Sequence, residues 1–216
     1  MGWRITICSA AIVEHNRLAG HALGLPPTRK LFVDALTALL SRTSSPLLKA
    51  PGPDAEALEN IYKAAFRAAD HGLLKPWRFL SIQGDSLVKL GELFVRAATE
   101  DNPDITAAKV EKLQKKPLRA PLIVVTIASA KEHPKVPAFE QELSAAAATQ
   151  NMLIAAHAQG VGAMWRTGSM AFHPTVMSGL GLQSHEKIIG FLYLGSHEGP
   201  ERPPTETTIS DHVSEW

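Results

Sequence analysis

Helices and strands gathered round one buried helix are what this sequence predicts, and three stretches carry the prediction. Residues 143–158 are apolar or small on nearly every helical face, the mark of a helix covered on all sides rather than one lying on a surface. Residues 120–130, APLIVVTIASA, form a near-continuous β-branched run of the kind buried on both faces of a sheet. Residues 188–195, IIGFLYLG, read as a further sheet strand. With 216 residues, 45% hydrophobic and 20% charged, the chain is long enough for one sizeable core, and one domain is expected.

Residues 1–32 differ from the rest of the chain. Arg4 precedes an apolar stretch at 5–13, as in a secretory signal, but no clear small-residue cleavage site comes after it and Glu14-His15 interrupt at once, so secretion is not expected. Met1-Gly2 with Thr6 fits a myristoylation pattern short enough to arise by chance. We read 1–32 as an extension outside the core, consistent with a start codon placed upstream of the domain.

From Val33 the pattern becomes regular. Leu36, Leu39 and Leu40 sit at helical spacing, and the helix gives way at Ser41-Arg42-Thr43-Ser44-Ser45-Pro46. An arginine among hydroxyls suits a phosphate, because guanidinium forks onto phosphate oxygens while hydroxyls donate into the same anion; a solvated helix end gives the same pattern. Pro51-Gly52-Pro53 marks a turn. Asp54 then caps a helix with Ala57, Leu58, Ile61, Ala65 and Ala68 on its apolar face and Arg67 and His71 one turn apart near its end. That pair suits either the negative helix end or a bound polar ring.

Pro76 disfavours helix at Lys75, and Trp77, Phe79 and Ile82 suit a buried strand. Asp85 or Ser86 opens a helix to Ala98. The polar stretch 101–119, with Lys112, Lys115, Lys116 and Arg119, reads as a solvated face. A loop at 131–137 comes after the strongest strand. The central helix has Glu140 and Glu142 in its first turn and a stop at Gln159-Gly160, and it is too short and too small-sided to span a membrane. A short strand at 161–165 leads to Arg166-Thr167-Gly168, and His173-Pro174-Thr175 opens a short helix. Residues 198–216 have no core pattern and either hang free or lie on a partner subunit.

Several function classes drop out. A formal net charge of +1 lacks the field that nucleic-acid binding requires. Cys8 is the only cysteine, so no internal disulfide forms and a reducing, cytoplasmic compartment is expected. Nine histidines are scattered without metal-ligand spacing, so no metal is expected. GxGxxG, GxSxG and Walker patterns are missing, and Gly160-Val161-Gly162 runs helix to strand, the reverse of a dinucleotide-binding turn.

In order and spacing the segments resemble the nitroreductase family of FMN-dependent oxidoreductases, most closely its short NAD(P)H members of the YdjA type. The resemblance spans 33–199. It rests on Arg42-Thr43-Ser44, on Arg67-Ala68-Ala69-Asp70-His71 with Lys75-Pro76-Trp77-Arg78-Phe79, and on Arg119-Ala120-Pro121-Leu122-Ile123. Lys135-Val136-Pro137 with Glu140-Gln141-Glu142 and Trp165-Arg166-Thr167-Gly168 with Gly190-Phe191-Leu192-Tyr193-Leu194-Gly195 complete it. It implies an α+β fold, a mixed, mostly antiparallel sheet flanked by helices, built as a homodimer with an FMN in each of two interface sites. Residues 33–199 would be the FMN-binding domain and 200–216 an extended tail.

The resemblance assigns the FMN phosphate and ribityl chain to Arg42, Thr43 and Ser44 with Trp165, Arg166 and Thr167 of one subunit, while Arg67 and His71 reach the same flavin from the other. It places nicotinamide contacts at 155–160. Lys75 or Arg166 would supply the cation that stabilises the anionic reduced ring. NAD(P)H would be the cosubstrate and a nitroaromatic, quinone or similar small molecule the acceptor, with no side chain singled out as nucleophile and His71 a candidate proton donor. Two departures stand out: Thr43 replaces a second arginine, and Leu73, Leu74 and Lys75 replace the asparagine and glutamine of larger relatives. A non-catalytic flavin-binding or sensing protein, or an interaction module without cofactor, are the other readings.

Overall fold

The β-branched run supplies the strand from which the helices on both sides hang. In the computed structural model, which describes residues 33–200 and 203–216, strand β3 (Leu122–Ser129) is buried from Leu122 to Ala128. Its alternate side chains enter two separate cores, Ile123, Val125 and Ile127 on one face and Leu122 and Val124 on the other. The expectations for residues 1–32 lie outside the described residues.

The other elements, in order, are α1 (Ala35–Ser41), β1 (Leu48–Lys49), α2 (Ala55–Ala65), β2 (Trp77–Gln83), α3 (Asp85–Asp101) and α4 (Ala107–Lys115). After β3 come α5 (Ala138–Ala158), β4 (Gly162–Arg166), α6 (Pro174–Gly179) and β5 (Glu186–His197). β5 pairs with β3, β4 and β1, and β2 pairs with β3; each of these pairings is antiparallel. A bulge beside Thr126 shifts the β3–β5 register.

One face of the sheet packs on α3 and α6, where Phe94 meets Phe191 edge-on at 5.6 Å. The other packs on α5 and α2 through Met152, Leu153, Ala148, Ile61, Leu192 and Leu194. The α+β class and the antiparallel sheet between helices are therefore as expected, with α5 at the centre. Its small residues Ala145, Ala148 and Ala156 are wholly covered, and Thr149 donates to Thr126 of β3 at 3.0 Å inside the core. Buried Gln141 pins the preceding loop by donating to the Lys131 and Val136 carbonyls at 2.8 and 3.2 Å. Phe139 and Leu143 remain exposed in the single chain.

Two local expectations change, and a third gains an element. α2 ends at Ala65, so Arg67 and His71 do not share a helical face: the Asp70 carboxylate accepts from the Leu74 and Lys75 N–H groups at 3.2 and 2.6 Å and turns the chain, and His71 starts a separate 3-10 turn. The polar run 107–115 is a helix, capped by Thr106 and anchored by Leu113. Arg166 belongs to strand β4 instead of coming after it. Strand β1, two residues long, has no periodicity to betray it. Residues 203–216 are exposed throughout and hold one 3-10 turn, Ile209–Asp211.

Candidate functional site

The edge where α1, β4 and the end of β5 meet is built by two close approaches. Ser45 N donates to the Ala163 carbonyl at 2.8 Å, laying the loop after α1 along β4. A Cβ on Gly162 would come within 2.6 Å of Leu48 and 3.1 Å of the His197 nitrogen, so the glycine lets β4 close against β1 and β5. Between them lies a cavity of about 500 Å³ lined by Ser41, Thr43, His157, Gly160, His197 and Pro204 among others. Ser41 Oγ and His157 Nε2 lie 2.9 Å apart and tie α1 to the last turn of α5.

Around this edge sit buried polar atoms with nothing to bond. Among the described residues these are Arg42 Nη1, Trp165 Nε1, Arg166 Nε and His197 Nε2. A buried donor left unpaired costs roughly 1–3 kcal/mol, so such atoms are rare and mark where a partner is missing. Three of the four belong to residues expected to hold the cofactor, and the fourth lines the cavity. Arg42 is thus half-buried, not a solvated helix end.

Strand alternation separates Trp165 from Arg166. Trp165 lies on the α5 face, where its Nε1 would stand 2.1 Å from a Cβ on Gly190. Arg166 lies on the other face, 5.5 Å over the Tyr193 ring, and its Nη2 reaches the Pro46 carbonyl at 3.4 Å. Lys116, Arg119 and Lys112 add positive charge there. Burial is the main cause lowering the Lys116 and Arg166 pKa values; the neighbouring cations add to it, Arg166, Arg119 and Lys112 for Lys116, Arg119 for Arg166. Burial pushes the Tyr193 hydroxyl up to about 12. Ser44 and Thr167 are exposed beside this edge.

The remaining expected residues stand elsewhere in the same chain. α2 runs antiparallel to α5: Asn60 bonds Gln159 at 3.0 Å, Asn151 donates to the Ala64 carbonyl at 3.2 Å, and His71 meets Glu140 at 2.7 Å. Glu140 and His157 occupy opposite ends of α5, so His71 lies about 25 Å along the helix from the cavity. Arg67 and Lys75 are exposed, and Gly72, Leu73 and Lys75 all have positive φ. Leu73 and Lys75 are strained there, held by Asp70 and by Lys131 Nζ, which donates to the Leu74 carbonyl at 2.7 Å.

Sequence reasoning passed over His197, named Ser41 only among the hydroxyls around Arg42, and took His157 only as a polar break in an apolar run and one position of the nicotinamide-contact stretch. A histidine in an otherwise apolar helix was the signal available for His157. His197 had none, because its value comes from what β1 and β4 bring beside it.

Residues 41–196 match the family model described as "Nitroreductase family". An alignment over 164 residues, covering 76% of this chain and 88% of the other, shows 40% identity to an Escherichia coli (strain K12) protein named "Putative NAD(P)H nitroreductase YdjA". The chain belongs to the nitroreductase family. Solved structures agree on the fold of this nitroreductase-family chain. A nitroreductase-like family protein from Bacillus cereus superposes with a TM-score of 0.74 at 21% identity, over 86% of this chain and 97% of that one. A nitroreductase with bound FMN from Bacteroides fragilis NCTC 9343 gives 0.62 at 21%, over 84% and 97%.

Proposed function

We propose that this nitroreductase-family oxidoreductase binds FMN and uses NAD(P)H to reduce a small acceptor such as a nitroaromatic or quinone. The observation that carries the reading is the group of unpartnered buried polar atoms on Arg42, Trp165 and Arg166, residues the family resemblance independently assigns to the cofactor. When bound, FMN supplies the hydride and electron chemistry. The chain's part is to hold and orient it: Arg42 with the Thr43 hydroxyl offers donors to a phosphate, and Trp165 a flat wall. Arg166, half-buried among other cations, supplies positive charge that favours an anionic ring.

The placement of His71 supports a homodimer. It stands about 25 Å along α5 from the cavity of its own chain, so a second copy would bring it to a shared site. The exposed apolar residues Leu36, Leu39 and Leu40 of α1 and Phe139 and Leu143 of α5 supply a surface for it. Among the described residues no helix is long and apolar enough to cross a membrane. With Cys8 the only cysteine, we place the protein in the cytoplasm.

The purified full chain should be yellow, show flavin absorbance bands released on denaturation, and consume NADH or NADPH with a quinone or nitroaromatic. Arg42→Ala should weaken FMN binding by about tenfold or more, the loss of one charge-assisted contact. A colourless protein with no FMN affinity sinks the proposal. A yellow one that leaves NAD(P)H untouched makes it a flavin-binding or sensing protein instead.

A further inference from the structure

Resting on the flavin reading above, we propose that His197 is a phosphate-binding residue of the cavity, donating from Nε2 to the phosphate ester of a bound nucleotide. His197 ends β5, opposite Leu48 of β1, and its backbone is clamped where Gly162 lets β4 approach to contact distance. His197 is among the residues lining the cavity, and its Nε2 is buried and has no hydrogen-bond partner.

The surroundings select the ligand. From α1 and the loop after it come the Ser41 and Thr43 hydroxyls, with Arg42 between them; from α5 comes His157, already held to Ser41 at 2.9 Å. From β1 comes Lys49, whose ammonium pairs with Glu198 at 3.4 Å and so engages the carboxylate next to His197 in the chain. Among the described residues no aspartate or glutamate lines the cavity. The Ser41 proton goes to the Thr37 carbonyl at 2.6 Å, which leaves the Thr43 hydroxyl, the Arg42 guanidinium and the His197 ring as donors, and the group that answers several donors at once is an anion rich in oxygens, a phosphate ester. Two nucleotides at a flavin site carry one, the FMN and the nicotinamide cosubstrate.

The test compares FMN with riboflavin, which lacks the phosphate, by quenching of flavin fluorescence in apo full-length protein. His197→Ala should weaken FMN by about tenfold and leave riboflavin unchanged, while His197→Gln, which keeps a donor, should recover most of the loss. FMN unchanged, but a raised KM for the nicotinamide nucleotide in FMN-loaded His197→Ala, assigns the same contact to the cosubstrate's phosphate. Equal weakening of FMN and riboflavin would mean that His197 only shapes the wall, and no change in any of the three ligands removes it from the site; either result overturns the proposal. Failure of the wild-type chain to bind either flavin overturns the flavin reading with it, whereas normal wild-type binding with an indifferent variant overturns His197 alone.

Discussion

Glu186 accepts from Arg78 Nε and Nη2 at 2.7 and 2.6 Å and from Gln183 N at 2.9 Å, at the start of β5. The Arg78 bond is the main reason its carboxyl falls from 4.5 to about 2. A depressed carboxylate stabilises the fold above its unfolded value, and that contribution drains away as pH falls from there towards about 2. Glu186→Gln should therefore lose about 2 kcal/mol near neutrality, below the 3–5 typical of a fully buried pair because Arg78 is partly open to water. Urea unfolding at pH 7 and pH 3 checks it: the variant's deficit should shrink at the lower pH, and a constant deficit would contradict the pairing. Arg78 belongs to a stretch that resembles its family strongly, yet its side chain anchors a turn, with Nη2 also reaching the Gly181 carbonyl at 3.2 Å. Residue type and spacing could not separate Arg78 from Arg42 or Arg166, because what distinguishes them is whether a carboxylate arrives from a distant segment.

At the scale of elements, the strand pattern of β3 and the small-sided helix α5 were legible because burial on both faces leaves a direct trace in composition. Capping was legible too: Asp54 Oδ1 accepts from Ala57 N at 2.7 Å, and Asp54→Ala should cost about 1 kcal/mol by denaturant unfolding. The end of α2 was not: the helix closes at Phe66, and the Asp70 carboxylate then holds a separate turn through the N–H groups of Leu74 and Lys75, contacts with no helical period. The fit of β4 on β5 gives a sharper test. Gly190→Ala puts a methyl group within 2.1 Å of Trp165 Nε1, so the indole must shift. We expect a loss of about 1–3 kcal/mol, with changed tryptophan fluorescence and weaker FMN retention. An unaltered emission spectrum would show that Trp165 does not rest on Gly190.

For the whole molecule, Phe139 and Leu143 are 66% and 52% exposed at one end of a helix whose Ala145, Ala148, Thr149 and Met152 are fully covered. Sedimentation should give twice the chain mass of 23.3 kDa, and Phe139→Lys with Leu143→Lys should shift the protein to monomer and release FMN. A flavin-loaded monomer would contradict the shared site. What the sequence by itself determined was the class of fold, its central helix and two strongest strands, and a set of cationic and aromatic residues, since propensity and periodicity are properties of neighbouring residues. Which faces Trp165 and Arg166 occupy, that His197 lines a cavity with Ser41 and Thr43, and that His71 stands most of a helix length away were decided only by tertiary structure. Those facts depend on strand register and on segments far apart in the chain meeting across a glycine, and no local pattern encodes such a meeting.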